Sequence, residues 1–524
     1  MRHQDALTSL PAAAPYEFEA RLRQLPSLTG DAKADLAASR AFVEAVHRAG
    51  GSGHTVVRLQ SAATDRVIGM VWARAVADAA RAHPQTPLAL VALGGYGRRE
   101  LAPHSDVDLL VLHPDGEPDA FARAVTERLL VALWDLRLEV GHGLRDRRGC
   151  EALAATDHPA RTALLDLRRL AGDPALYAAL EGDQLHGLSE AKADAFIADK
   201  LAEMRARRER FGDSLYLLEP NVKQSEGGLR DLQSALWLAR VRFKVAGISE
   251  LLTRALLPER DLRELRRARD FVWRVRNELH FLARRKSDQL TFDVQPLVAQ
   301  GMGFGDPEQS STVEAFMRHY YLAARTVLVA CDAIVDRCLE PRGVVSRARP
   351  GDGPLPGGEL EVVRGRVAVA DPDVLRVPAA LVRLFATADR EGLDLDPRTR
   401  DLASDAAERL GPSAAADPEV NQELLAMLTR PGTRGRFLGP MHDLGVLPKV
   451  LPEFARITAR RQIDVYHVYT VDVHSLFALR RLYALRCGDV DVPVLGPLAR
   501  EMARPLALYL GTLFHDIGKG AGAD

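Results

Sequence analysis

The chain has 524 residues, of which 47% are hydrophobic and 27% charged, a composition that excludes global disorder and predicts about three or four structural units. Seventy basic residues against 71 acidic ones give a formal net charge of −1, which argues against coating of DNA or RNA through bulk positive charge. The four cysteines are scattered, the N-terminus has no apolar signal segment, and no apolar run reaches the ~18 residues of a membrane span. We therefore predict a cytoplasmic protein that binds neither membrane nor nucleic acid.

The first third of the chain predicts a small α/β unit. Residues 1–54 have a polar helical pattern, and a further helical pattern begins at Thr55. Leu88–Gly95 is a short apolar run that stops at two glycines, and Ser105–His113 has a second strand pattern. The next predicted elements are an amphipathic helix at Phe121–Leu136, a strand at Leu138–Asp146, and either a helix end or a fourth strand at Ala163–Gly172.

The rest of the chain is helical in pattern, with one interruption. Helical periodicity extends from Leu180 to Asp336. The Gly- and Pro-rich segment Pro341–Glu359 predicts a linker, and the alternation in Leu360–Asp371 predicts a hairpin with its turn at Arg364–Gly365. Helices are predicted again from Pro378 to the end of the chain.

The segment LGGYGRRELAPHSDVDLLVL carries the first chemical pattern. Asp106 and Asp108 are two residues apart on a predicted strand, so both carboxylates leave the same face. Their repulsion favours a shared divalent cation that prefers oxygen ligands, such as Mg²⁺, and this cation usually brings substrate phosphates with it. Because Gly94 and Gly95 have no side chains, a phosphate chain can approach the backbone there, and Ser105 can donate a hydrogen bond to it.

Two alternatives to this interpretation are weaker. A lone pair of aspartates is far more often a solvated turn than a metal site, but here the glycine pair precedes Ser105 by ten residues, with a strand pattern on either side. A dinucleotide-binding fingerprint does not fit, because Gly95 and Gly97 are followed by neither a third glycine nor a long helix.

The longer pattern GG-YGRREL-P-SDVDLL resembles the nucleotidyltransferase superfamily and, within it, the bacterial PII-protein uridylyltransferase/uridylyl-removing family. The same resemblance is carried by LEVGHGLRD, LLDLRRLAGD, EPNVKQSEGGLRDLQSALWLARV and RNELHFLARRKSDQLTFDVQ, and it extends from about Thr55 to the last residue. It implies transfer of UMP from UTP to a tyrosine of the nitrogen-regulatory protein PII, with Mg²⁺ or Mn²⁺ held by Asp106 and Asp108.

A third carboxylate normally completes such a site, by holding a second metal or by taking the proton of the attacking hydroxyl. Our candidate is Asp166, because it lies in an apolar segment and is followed by an arginine pair. A helix-terminal or surface aspartate is an equally good interpretation of that residue. Glu139 is the second candidate for the role.

The segment VKQSEGGLRD predicts a loop that leads into a helix and carries charges of both signs, including Asp231. The pair Gly227–Gly228 suits an anion at the helix N-terminus, reinforced by Lys223. The resemblance implies a nucleotide-binding role for this segment, for which we select Lys223 and Arg230. An ordinary capped helix start is the alternative. The run Arg284–Lys286 is either a phosphate or partner site or a solvated helix end.

A second pattern near the C-terminus resembles the HD metal-dependent phosphohydrolase family. GTLFHDIGKG contains His515 and Asp516, about forty residues after His474 in VDVHS. Imidazole and carboxylate ligands suit a divalent metal that activates water on a phosphodiester, and Lys519 is a candidate to bind the phosphate. In the uridylyl-removing family this domain hydrolyses UMP from PII.

The resemblance also predicts features that this chain does not match. Val473 stands where the family usually has an acid, and the chain ends at Asp524, before the family's further histidine, distal aspartate and paired ACT domains. We therefore expect a truncated chain or fragment in which removal of UMP is weak or absent. Control by glutamine is expected to be lost if the ACT domains are its sensors.

The predicted fold is α+β and mostly helical, with a nucleotidyltransferase α/β domain, helical domains, and the start of an HD-type domain. Alternative functions are a nucleotidyltransferase with a different protein or small-molecule acceptor, an HD-type phosphohydrolase, and a non-catalytic regulatory module. The predicted boundaries are 1–54 for an N-terminal helical segment, 55–175 for the nucleotidyltransferase domain, 176–340 for a helical domain, 341–375 for linker and hairpin, 376–460 for a helical connector, and 461–524 for a partial HD domain.

Overall fold

A computed structural model describes residues 17–186, 190–212, 215–306, 310–339, 351–363, 365–430, 433, 435–458, 470–490 and 492–520. The chain divides into two compact units, the first comprising residues 1–215 and 219–338 and the second comprising residues 216–218 and 339–524. Some predicted features lie outside the described residues, namely the start of the N-terminal segment (1–16), the first part of the linker (341–350), Arg364 of the hairpin, and both ends of the partial HD domain (461–469 and 521–524).

From residue 17 onward, three helices precede the sheet in the first unit, namely α1 (Glu17–Leu22), α2 (Ala32–Arg48) and α3 (Gly53–Ala80). The side chains of Asp31 and Ser52 accept hydrogen bonds from the first N–H groups of α2 and α3, as N-terminal caps. Apolar residues of α3, among them Val67 and Ile68, are fully buried in the core on one face of the sheet. The strong caps and the buried face explain why this long helix begins and packs where it does.

A four-stranded sheet forms the centre of the α/β part, with strand order β3-β2-β1-β4. Strand β1 is antiparallel to β2 and β4, whereas β2 and β3 are parallel, with Asp108 opposite Gly141. In chain order its elements are β1 (Ala89–Ala92), α4 (Gly94–Gly97), β2 (Val107–Leu112), α5 (Ala120–Asp135), β3 (Val140–Arg145), α6 (Arg147–Thr156), α7 (His158–Leu164) and β4 (Arg168–Gly172). The segment Ala163–Gly172 therefore contains both a helix end and a strand.

The remaining part of the first unit is helical. Helix α12 (Glu259–Ala283) packs against α3. Its residue Asp270 accepts hydrogen bonds from the N–H groups of Gly53 at 3.2 Å and His54 at 2.8 Å. The helices that follow the sheet are α8 (Pro174–His186), α9 (Glu190–Phe211), α10 (Leu229–Phe243), α11 (Glu250–Thr253), α12 (Glu259–Ala283), α13 (Gln295–Gly301) and α14 (Ser310–Leu339).

The second unit starts with a small antiparallel sheet of β5 (Gly353–Pro354), β6 (Leu360–Val363) and β7 (Arg366–Val369), in which β6 and β7 form the predicted hairpin. Its hydrophobic core includes Phe385, Phe454 and Leu479. Its helices are α15 (Pro378–Glu391), α16 (Pro397–Arg409), α17 (Pro418–Thr429), α18 (Leu438–Asp443), α19 (Leu447–Val450), α20 (Pro452–Ile457), α21 (Val471–Cys487), α22 (Leu495–Glu501) and α23 (Pro505–Phe514), with short 3₁₀ turns at Pro372–Arg376, Pro412–Ala416 and Ile517–Gly520.

The predicted fold class is confirmed, since the described residues form two small sheets among many helices. None of the helices in the described part of the chain combines the length and the apolarity that a membrane crossing requires.

Candidate functional site

A glycine turn follows β1 and begins beside Asp108. The Leu93 N–H donates to the carbonyl of Asp108 at 3.0 Å, which ties the start of α4 to β2. Gly94 has φ +54°, a conformation that favours glycine, and a Cβ at Gly97 would overlap the carbonyl oxygen of Asp166. The two glycines therefore let the chain turn sharply between two strands.

Asp106 directly precedes β2 and Asp108 lies within it. Strand periodicity places both carboxylates on one face, and the Asp106 charge acts on Asp108. Lys286 Nζ donates to Asp106 Oδ2 at 2.5 Å. The other oxygen, Oδ1, is buried, and no described residue donates a hydrogen bond to it. Burial acts to raise the pKa of Asp106, but hydrogen bonds with Lys286 and Glu139, together with the charges of Lys286 and Lys223, outweigh it and the net shift is downward. Burial and the neighbouring Asp106 charge raise the pKa of Asp108.

Gly141 on β3 provides the space that Asp108 occupies. The two residues are partners across the parallel strands, and a Cβ at Gly141 would lie 2.4 Å from Asp108 Oδ1. Sequence reasoning did not select Gly141. The signal was present, because a glycine inside a strand pattern often marks a close approach by another group.

Glu139 completes a group of three carboxylates. It comes directly before β3, and its carbonyl accepts a hydrogen bond from the Val107 N–H at 2.8 Å, which places it beside Asp106. The side-chain interaction with Asp106 and the charge of that residue raise the pKa of Glu139. The second candidate for the third carboxylate therefore lies at the aspartate pair.

Asp166, the first candidate for the third carboxylate, is bound by residues other than the aspartate pair. Its buried carboxylate forms an ion pair with Arg98, accepts a hydrogen bond from Trp237 Nε1 at 2.9 Å, and has Arg240 at 4.0 Å. Burial raises the pKa of Asp166, against the opposing effect of Arg98. Among the described residues no hydrogen bond or ion pair joins this carboxylate to Asp106 or Asp108, although its partner Arg98 also acts to lower the pKa of Asp108. The Asp166 carboxylate instead connects Arg98, directly after the glycine turn, to helix α10.

Positive charges from distant segments surround the carboxylate pair. Lys223 and Lys286 both act to lower the pKa values of Asp106 and Asp108. Lys223 is half-buried, and its Nζ makes no ion pair within the described residues. Burial, together with the charges of Arg276 and Arg230, lowers the pKa of Lys223 to about 7. A half-buried cation whose Nζ forms no ion pair with a described carboxylate fits a site for an anionic ligand.

The helix N-terminus after Gly227–Gly228 does not provide the predicted anion site, because its N–H groups already donate hydrogen bonds within the chain. The N–H groups of Leu229 and Arg230 donate to the carbonyls of Val222 at 3.2 Å and Lys223 at 2.8 Å. The Gly227 N–H donates to Asp231 at 2.8 Å, and Asp231 is itself buried in an ion pair with Arg207. The glycines therefore shape the loop without offering free donors, and only the side chains of the segment remain to bind a ligand.

Arg230 and Ser105, both predicted to bind the nucleotide, each contact a residue of the helical part of the first unit. The Arg230 guanidinium lies 5.4 Å from the Trp237 ring centroid, and burial with the Arg98 charge lowers the pKa of Arg230 to about 10. Ser105 Oγ accepts a hydrogen bond from Arg276 Nη2 at 3.3 Å. Arg276 was missed by sequence reasoning, because nothing in the local pattern of α12 distinguishes it from the other arginines there.

The basic run Arg284–Lys286 is divided between two roles. Arg284 forms an ion pair with Glu44 at 2.7 Å, and Arg285 is exposed. Only Lys286 interacts with Asp106. The cluster is therefore not one continuous phosphate patch.

The carboxylates fit a hard divalent cation. Asp106, Asp108 and Glu139 offer only oxygen ligands, which Mg²⁺ and Mn²⁺ prefer. Burial and the Asp106 charge raise the pKa of Asp108, and a hydrogen bond with Asp106 and its charge raise the pKa of Glu139, so Asp106 interacts with both of the other carboxylates.

The second unit contains the HD residues in one cluster. Ligand atoms of His474, His515 and Asp516 all lie within 4.8 Å of one another. His515 Nε2 is 3.2 Å from Asp516 Oδ2, and Lys519 Nζ is 2.7 Å from the same oxygen. Burial opposes the shift, but Lys519 and His515 lower the pKa of Asp516. The structure thus brings the predicted ligands together and places Lys519 on the carboxylate.

The mixed sheet, its glycine turn and its carboxylates together define a nucleotidyltransferase domain. Residues 37–139 match the family described as putative nucleotidyltransferase DUF294, and residues 195–335 match the family described as GlnD PII-uridylyltransferase. The second match lies in the helical part that supplies Lys223 and Arg276.

Curated relatives extend the comparison over most of the chain. The bifunctional uridylyltransferase/uridylyl-removing enzyme of Azospirillum brasilense is 35% identical over 95% of this chain and 55% of its own length. The enzymes of that name from Rhodospirillum rubrum and Caulobacter vibrioides are each 36% identical, over 99% and 90% of this chain and 56% and 52% of their own lengths. The chain thus spans about half the length of these relatives. The resemblance predicted from the sequence is confirmed, and it extends over nearly all of this chain.

Proposed function

We propose that the chain transfers UMP from UTP to a tyrosine hydroxyl of a PII-type protein, with release of pyrophosphate. The observation that carries this proposal is the carboxylate pair Asp106 and Asp108 beside the glycine turn, with the half-buried cation Lys223 acting on both carboxylates without forming an ion pair among the described residues. The choice of uridylyl group and of acceptor is supported by the names of the relatives.

In the proposed reaction the tyrosine oxygen forms a bond to the α-phosphorus while the bond from that phosphorus to the bridging oxygen breaks, so that pyrophosphate leaves. Mg²⁺ or Mn²⁺, held by Asp106 and Asp108, would supply charge neutralisation at the phosphates. Lys223, Arg230 and Ser105 bind phosphate oxygens. Glu139, whose pKa is raised beside Asp106, takes the hydroxyl proton.

The test is incubation of the chain with PII, Mg²⁺ and labelled UTP, with ATP, CTP and GTP in parallel. The expected result is label on PII from UTP alone and its loss in the double variant Asp106→Asn/Asp108→Asn. A matched control is Asp115→Asn/Glu117→Gln, which neutralises two exposed carboxylates of the loop after β2. Absence of label with a folded chain contradicts the acceptor assignment, and label that survives in the first double variant contradicts the site.

Transfer to another acceptor, a different protein or a small molecule, is the alternative that the same site supports. It predicts that pyrophosphate is released from UTP in the presence of that acceptor and not in the presence of PII. Release that depends on PII is the outcome that favours the first proposal.

A second candidate function, hydrolysis of UMP from PII-UMP, rests on the cluster of His474, His515 and Asp516. We propose that these residues bind a divalent metal in the second unit. Titration with Mn²⁺ in the Asp106→Asn/Asp108→Asn background should show one binding event that His515→Ala removes and that the control His83→Ala retains. If metal binds but PII-UMP stays intact, the removing activity is contradicted and the metal site stands.

A further inference from the structure

Asp288 lies at the centre of a buried polar network next to the carboxylate pair. Its Oδ1 accepts a hydrogen bond from Arg276 Nε at 2.6 Å and lies 3.3 Å from His280 Nε2. Its side chain is only 12% exposed, and burial is outweighed by His280 and Arg276, so the pKa of Asp288 is well below its usual range. Asp288 is therefore an anion held between two partners on helix α12.

Both partners continue from Asp288 to the residues just before Asp106. Arg276 Nη2 donates to Ser105 Oγ at 3.3 Å, and the His104 N–H donates to His280 Nδ1 at 3.2 Å. Because Nδ1 is an acceptor, the neutral His280 ring carries its proton on Nε2, where it faces Asp288. A purely structural ion pair would have no further contacts beyond Asp288. Here both of its partners also contact the residues directly before Asp106.

The backbone of Asp288 also fixes the segment that carries Lys223. The Val222 N–H donates to the Asp288 carbonyl at 2.8 Å, and the Leu290 N–H donates to the Pro220 carbonyl at 2.9 Å. Asp288 opposes the effect of Arg276 and Arg230 on Lys223 and acts to raise the pKa of that lysine. One residue therefore determines the position of Arg276 through its side chain and of Lys223 through its backbone.

We infer that Asp288 is a positioning residue that holds Arg276 and Lys223 beside the carboxylate pair as ligands for the β- and γ-phosphates of the nucleoside triphosphate. The inference rests on the proposed transfer function and deepens it, because it assigns the polyphosphate end of the substrate to the segments 220–223 and 276–290. Planar guanidinium groups suit phosphate oxygens because they donate several hydrogen bonds in one plane. Asp288 accepts from Nε of Arg276 and Ser105 from Nη2, which leaves the Nη1 group for a phosphate oxygen.

The experiment compares equilibrium binding of UTP, UDP and UMP, each with Mg²⁺, by the wild-type chain and by Asp288→Asn. We expect Asp288→Asn to weaken UTP binding about tenfold or more, as expected for lost charge-assisted contacts, and UMP binding less than about twofold. Arg276→Lys, which keeps the charge but loses the planar guanidinium, should also lower the ratio of UTP affinity to UMP affinity (the UTP/UMP preference). Asp288→Glu, which keeps the carboxylate, should retain part of this preference. In the transfer assay the loss should appear mainly in KM for UTP.

Asp270→Asn is the matched control, because Asp270 is a half-buried carboxylate of helix α12 that caps α3. It should lower the melting temperature and leave the UTP/UMP preference unchanged. The inference is overturned if Asp288→Asn behaves like Asp270→Asn, or if Arg276→Lys keeps the wild-type preference when Asp288→Asn does not fold. A wild-type chain that binds no nucleotide overturns the proposed function and this inference together, whereas UTP binding without labelling of PII overturns only the acceptor.

Discussion

Asp108 occupies the space that a side chain at residue 141 would fill, since a Cβ at Gly141 would lie 2.4 Å from Asp108 Oδ1. The two residues are partners across β2 and β3. Because Asp108 is also tied through its backbone to Leu93 at the glycine turn, it cannot move away from β3 without disturbing that turn. The carboxylate geometry therefore depends on a missing side chain on the neighbouring strand.

Gly141→Ala should abolish most of the transfer activity. The added methyl group displaces the Asp108 carboxylate, and a misplacement of about 1 Å at a reacting centre costs on the order of 100-fold in rate. The measurement is the initial rate of label transfer from UTP to PII, together with the melting temperature of the variant.

Gly143→Ala is the control for this prediction. It is the next glycine on the same face of β3, but a Cβ there would lie 3.7 Å from Leu110 Cδ1, an ordinary contact. It should keep transfer within about twofold of wild type, since little has to move. Equal losses in the two variants would show that any alanine in β3 disturbs the site, and that Asp108 is not the cause.

Asp108→Asn should stabilise the metal-free chain at neutral pH although it removes activity. The pKa of Asp108 is raised by burial and by Asp106, so ionisation of this group opposes folding. The neutral carboxyl stabilises the folded chain fully at pH values below the pKa of Asp108 in the unfolded state. This stabilisation is lost as the pH rises through the pKa of Asp108 in the folded state. The gain from the asparagine should therefore be largest near pH 7, within the ~1–2 kcal/mol typical of single substitutions.

Urea unfolding of wild type and Asp108→Asn, with chelator present, measures this effect. The two curves should converge near pH 3, where the carboxyl is protonated in both states. An asparagine variant that is less stable than wild type at pH 7 would mean that the Asp108 charge is already neutralised by the surrounding lysines.

The local parts of this site were predictable from sequence and its long-range parts were not. Strand periodicity places Asp106 and Asp108 on one face, and the glycine pair marks the end of β1, so both follow from neighbouring residues. The identity of the third carboxylate does not follow from neighbouring residues. Asp166 is bound by Trp237, 71 residues away, and Asp106 is bound by Lys286, 180 residues away. Such pairings depend on how α10 and α12 pack, which no local pattern contains.

Asp166→Asn and Glu139→Gln should separate a structural carboxylate from a functional one. Burial raises the pKa of Asp166 as it does that of Asp108, but Asp166 differs in forming an ion pair with Arg98. Removal of its charge leaves Glu100 as the remaining ion pair of Arg98 among the described residues, and loss of one member of a buried ion pair costs about 3–5 kcal/mol. We expect a lower urea midpoint for Asp166→Asn. Glu139→Gln should keep the wild-type midpoint, because the glutamine amide can still donate a hydrogen bond to Asp106, and should lose at least about tenfold in turnover.

The comparison requires both unfolding curves and turnover numbers on the same preparations. Transfer by Asp166→Asn should recover toward wild type when it is assayed at low temperature, where the variant is folded. Activity that stays absent in a fully folded Asp166→Asn, with full activity in Glu139→Gln, would reverse the two assignments and restore Asp166 as the third carboxylate.

The affinity for UTP should fall as the pH rises through the pKa of Lys223. Burial and the charges of Arg276, Arg230 and Lys286 lower that pKa to about 7, while Asp288 opposes them. The protonated form binds phosphate, so KM for UTP should increase several-fold between about pH 6.5 and pH 8.5 in the wild-type chain. Lys223→Arg carries a charge that does not titrate in this range, and its KM should stay nearly flat, which controls for the titration of UTP itself. Parallel profiles in the two proteins would show that Lys223 does not contact the nucleotide in its charged form.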